Sequence, residues 1–112
     1  MTARRLNRLL TLETPQRVSD GAGGFTQAWV GLGQLWADVR SRTQSETALG
    51  ENIVARAAHE ITVRGAPFGS EARPKHSQRF REGERIYRIL SVTEADPSGR
   101  YLVCATIEEV AA

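Results

Sequence analysis

Ala57-Ala58-His59-Glu60-Ile61-Thr62-Val63-Arg64 decides the fold. Ala57, His59, Ile61 and Val63 alternate with Ala58, Glu60, Thr62 and Arg64, and a period of two puts successive side chains on opposite faces of a strand. Towards the N-terminus the pattern returns at residues 35–40, where Leu35, Ala37 and Val39 alternate with Trp36, Asp38 and Arg40. Residues 25–30 form another strand-like piece, separated from it by Gly31-Leu32-Gly33. Before that stands Ser19-Asp20-Gly21-Ala22-Gly23-Gly24, a dense turn signal whose glycines accept positive φ. Residues 6–13 read as a first strand with Leu6, Leu10 and Leu12 on one parity; Pro15 ends it or confines it to an edge. Towards the C-terminus, residues 65–74 are a loop with two prolines and two glycines. Residues 77–81 suggest a short strand, and Glu82-Gly83-Glu84 turns the chain into a strand over 85–93. Ala95-Asp96-Pro97-Ser98-Gly99 is a strong turn before a last strand over 100–108.

One stretch breaks the alternation. Residues 41–55 are polar at first, then place Leu49 and Ile53 at i, i+4 spacing with Glu46 and Glu51 nearby. The spacing suits a short helix, in which Gly50 costs about 1 kcal/mol relative to alanine, or else a long loop across residues 41–58. The expected architecture is mainly β: one domain over residues 1–112, a small antiparallel β-barrel or sandwich of six to seven strands, with that loop or helix between strands.

Composition agrees with a folded domain. Of 112 residues, 40% are apolar and 25% charged, which argues against a disordered chain. No apolar run is long enough for a bilayer-spanning helix, and the basic start lacks the apolar core of a secretory signal. Membrane partners and export are therefore not expected, and the single cysteine, Cys104, suits a reducing cytoplasm. Of the fifteen basic residues all but Lys75 are arginine, a bias that fits either phosphate and carboxylate contacts or codon usage in a GC-rich genome. Position is more telling than number. Arg4, Arg5 and Arg8 open the chain, and six bases from Arg73 to Arg88 face only Glu82 and Glu84. The C-terminal stretch from Glu94 is acidic. A dipolar domain suits stacking against neighbours with charged rims.

Catalytic chemistry is not legible. His59 shares its parity with Ile61 and Val63 and reads as a half-buried structural histidine. His76 lies in a basic loop and reads as solvated. Cys104 alternates with Leu102 and Thr106, the placing of a packed thiol. Asp20 and the glycines beside it lack the lysine and hydroxyl of a phosphate-binding loop. Glu82 with Glu84, and Glu108 with Glu109, read as surface carboxylates. No enzyme activity, metal, cofactor or small-molecule substrate is expected.

In order along the chain, several short motifs resemble the phage head–tail joining family, also called head closure or stopper proteins. Asp20-Gly21-Ala22-Gly23-Gly24 resembles that family's Asp-x-x-Gly-Gly turn and is followed by Trp29. Leu35-Trp36-Ala37-Asp38-Val39 resembles its Val-Trp-Ala-x-Val strand, and Glu46 fits an acidic position after it. His59-Glu60-Ile61-Thr62-Val63-Arg64 resembles its His-x-Ile-x-Ile-Arg strand. Gly83, Tyr87-Arg88-Ile89 and Arg100-Tyr101-Leu102 complete the series. The loop over 65–76 is longer and more basic than the family pattern, and Ser77-Gln78-Arg79-Phe80 matches its short strand only loosely.

The resemblance implies a small β-barrel in the neck of a tailed phage, prophage or gene transfer agent particle. It implies a homo-oligomeric ring, hexamer or dodecamer, below the portal and adaptor proteins and above the tail terminator. Such a ring closes the head after packaging and offers the tail its attachment surface. Packaged double-stranded DNA would then be a sequence-independent partner in the channel. The chain would be in the bacterial cytoplasm during assembly and in the particle neck afterwards. Residues 41–58 would reach towards the lumen, with Arg42, Glu46, Glu51 and Arg56 as channel-facing candidates. Interface candidates are Trp29, Arg79, Arg81, Arg85, Glu108 and Glu109, whereas Trp36 is assigned to the core. The competing expectations are a tail terminator or other neck ring, and a nucleic-acid-binding barrel, which needs aromatics on one sheet face.

Overall fold

The strand read at residues 57–64 is the inner part of a longer one in the computed structural model, which describes residues 4–42, 45–49 and 52–109. Seven strands are present there: β1 Arg8–Ser19, β2 Phe25–Ser41, β3 Ser45–Leu49, β4 Asn52–Arg64, β5 Arg79–Glu82, β6 Arg85–Glu94 and β7 Tyr101–Glu109. All neighbours pair antiparallel in the order β2-β1-β5-β6-β7-β4-β3, and a further β2–β4 pairing joins the sheet to itself. Six strands therefore close into a barrel, with β3 hairpinned onto the first part of β4.

The period-two reading predicts the lining. Leu10, Leu12, Ala37, Ile61, Val63, Phe80, Tyr87, Ile89, Leu102 and Cys104 all point inward and are buried. Each large apolar side chain removed from water contributes roughly 1.5–3 kcal/mol. The Cys104 thiol is pushed up to about 12 by burial, which keeps it an inert packing group.

Three local expectations change. Gly31-Leu32-Gly33 does not separate two strands but forms a bulge within one 17-residue strand: Leu12 pairs with Gly33 and Glu13 with Gly31, so Leu32 has no opposite number. Gly33 sits at φ 139°, a backbone conformation other residues rarely adopt. Secondly, β1 runs on through Pro15. It loses its β5 neighbour after Glu13 and keeps only β2, so Pro15 sits where edge strands tolerate proline. Thirdly, the stretch expected to be a short helix or long loop is a hairpin. Ser45 pairs with Arg56 and Leu49 with Asn52. Here backbone register sets Ala48 opposite Ile53 and Leu49 opposite Asn52, in place of the i, i+4 spacing of Leu49 and Ile53 on a helix.

Candidate assembly surfaces

Two hairpins extend beyond the barrel, and strand register fixes their directions. Residues 14–19 of β1 pair only with residues 25–30 of β2, making an arm that leaves by the end where Glu13 meets Arg79. The β3–β4 hairpin continues past Ser41 and His59, at the end where Arg8, Glu82 and Glu108 lie. The arms thus leave by opposite ends. Asp20 shapes the first arm's tip, its carboxylate accepting hydrogen bonds from the amides of Ala22 and Gly24 at 2.8 and 3.0 Å. Val18 and Phe25 are exposed at that tip, with the Arg17 guanidinium 4.3 Å over the Phe25 ring.

At the base of this arm lies a compact outer cluster. The Arg79 guanidinium stacks 4.1 Å from the Trp29 ring and donates to Glu13 at 2.6 Å. Arg81 is 3.8 Å from the same carboxylate and donates to the Gly83 carbonyl at 2.9 Å. Glu13 is buried beneath them although it faces outward, because the bases and the indole cover it. Trp29 is half-buried and is held by its own chain.

The other end of the barrel is filled from inside by charge. Arg8 donates to Glu82 at 3.0 Å and to the Tyr87 hydroxyl at 3.1 Å. Arg85 donates to Glu108 at 2.7 and 3.0 Å, and His59 Nε2 lies 2.9 Å from that carboxylate. The His59 ring packs edge-on against Tyr87 at 5.2 Å. Hydrogen bonds from Arg85 and His59 hold the Glu108 carboxyl below its ordinary range, and Arg8 does the same for Glu82. Burial raises the Tyr87 phenol. His59 Nδ1 is buried without a hydrogen-bond partner.

The whole chain can now be set beside known proteins. The model of the phage head completion protein family matches residues 1–109. A chain from a solved structure described as "Virion of native gene transfer agent (GTA) particle" is 49% identical, with a TM-score of 0.83 over 98% of this chain and 100% of that one. No curated protein matches at a significant level. The chain belongs to the phage head completion protein family.

Within that head completion fold the sequence-derived candidates separate into groups. Trp29, Arg79 and Arg81 come together with Glu13 in the outer cluster. The interface candidates Arg85 and Glu108 pair with each other at the polar end, where Arg85 stays exposed, and Glu109 lies 3.6 Å from Arg88 on the outer face. Arg42 is exposed and 3.4 Å from Glu60. Glu46 stands opposite Ala55, and Arg56 opposite Ser45, in the β3–β4 hairpin; Glu51 lies outside the described residues.

Two placements depart from expectation. Trp36, assigned to the core, is 55% exposed on the outer face beside Leu9, because it shares its parity with Gln34 and not with Ala37. Glu82 and Glu108, read as surface carboxylates, belong to the internal polar end. Parity carried that signal as well: Glu108 follows Leu102, Cys104 and Thr106 on the inner face, and Glu82 follows Phe80.

Proposed function

We propose that this head completion protein forms the ring that closes the DNA-filled head and receives the tail in a phage-like particle. The observation that carries the reading is the pair of hairpin arms leaving a closed barrel by opposite ends. A part joining two layers needs contacts above and below, and strands continuous with the barrel carry one arm out of each end. The 49% identity to a chain of a gene transfer agent virion favours a particle of that kind. In this reading identical copies assemble head to tail around a closed circle, hexamer or dodecamer, using two different patches. The adaptor or portal lies on one side and the tail terminator on the other. The β3–β4 hairpin, with Arg42, Glu46, Glu51 and Arg56, faces packaged DNA; its mixed charge gives a weak, sequence-independent grip. The chain collects in the cytoplasm and ends in the particle neck, as a structural part and not a catalyst.

Electron microscopy of particles from producer cells lacking the gene tests this. Separate heads that have lost DNA, beside normal-length tails, are the expected result. Joined particles with overlong tails would make the chain a terminator, and intact tailed particles would end the neck reading.

A further inference from the structure

The barrel carries a knob and a socket on opposite flanks. On the β1–β2 flank, Leu9 and Trp36 face each other across the strand pair and stand out, 38% and 55% exposed. The sheet order places β7 across the barrel from β1 and β6 across from β2. There, the outer faces of β4, β6 and β7 enclose a concavity of about 360 Å³, lined by Ala58, Ser91, Thr93, Val103, Ala105 and Ile107. Small side chains on three adjacent strands create the hollow, and the Leu90 bulge forms one wall.

We infer that the socket receives the Leu9–Trp36 knob of a second copy of this chain, making the lateral contact of the ring. The inference rests on the ring reading above and names its interface. A closed circle requires two unlike patches on opposed flanks of one subunit, and these two are opposed. A large aromatic standing in water beside a leucine matches the anchor of a protein interface, and a hollow floored by alanine and valine matches its pocket. Charge marks both rims. Around the knob the carboxylates of Asp38 and Glu13 are buried, while the side chains of their partners Arg40 and Arg81 are 42% and 50% exposed. Around the socket the charge is mixed: Glu60 and Glu109 stand in long pairs of 3.4 and 3.6 Å with the more exposed Arg42 and Arg88, pairs that an incoming arginine can enter.

The test uses assembled particles carrying Leu9→Cys with Ala105→Cys, treated with a short flexible bismaleimide. The native Cys104 is buried and does not compete. A ladder of covalent multimers from the double variant, with each single variant remaining monomeric, is the expected result. Gln34→Cys with Val103→Cys provides a second pair should the first fail to enter particles. Incorporated double variants that give no ladder, while cryo-electron microscopy of the same particles still shows copies of the chain arranged around the neck, would overturn the knob-and-socket contact and leave the ring standing. A neck reconstruction without a ring of this chain would remove the ring itself and the contact with it.

Discussion

Glu13 is an acid that three neighbours hide. Its carboxylate lies under Trp29, Arg79 and Arg81, so removing it strands a largely buried guanidinium. Glu13→Ala should cost about 1–3 kcal/mol, read as a lower urea midpoint at unchanged slope. Glu13→Gln, which keeps one acceptor, should lose less. The polar end predicts a pH effect whose sign follows from Glu82 and Glu108. Both carboxyls are held below their ordinary value of 4.5, first by hydrogen bonds from Arg8 and Arg85. The unfolded chain therefore binds protons first as pH falls. The stability these groups contribute is complete above that ordinary value and is lost as pH drops through their folded-state values. Urea midpoints should fall below about pH 4.5, and Glu82→Gln with Glu108→Gln should flatten that slope.

At the scale of elements, the neck reading separates loops and hairpins into those that hold the barrel and those proposed to serve partners. Gly65 is of the first kind: its amide donates to the Arg100 carbonyl at 2.7 Å, and an added Cβ would come within 2.0 Å of the Gly99 carbonyl oxygen. Gly65→Ala should push the β4 and β7 ends apart and cost about 1–3 kcal/mol in thermal unfolding. The β1–β2 arm is of the second kind. Phe25→Ser removes an exposed ring that stacks on Arg17, so stability should stay within about 0.5 kcal/mol. The amount of protein recovered in purified particles should drop, measured by quantitative mass spectrometry. Legibility in the sequence follows the same division. Residues 57–64 and 100–108 alternate cleanly because each strand has one face in the core, and no other structure satisfies that period. Leu49 and Ile53 satisfied a helix and a hairpin equally, and only pairing with a neighbouring strand chooses between them. Trp36 misled because size suggested burial while its parity already placed it outside. The bulge at Leu32 was hidden because its two glycines also look like a break.

For the molecule as a whole, closure of β2 on β4 divides firm from yielding parts. Barrel strands have partners on both sides, whereas residues 14–19 and 25–30 are paired only with each other. Amide hydrogen exchange should therefore be fast in that arm and slow at residues 59–63 and 102–106, where opening requires breaking the barrel. Closure also governs how a pull crosses the subunit. A load on the β1–β2 arm travels down β2, whose chain leads on into β3 of the opposite arm; a load on that arm also travels along β4 the other way. Strands β2 and β4 meet side by side from Ala37 to Ser41 against His59 to Val63. Their hydrogen bonds lie across the line of force, so they are sheared together and share the load, and none is peeled away alone. Tension between two layers of a pressurised particle would meet the seam in its strongest direction.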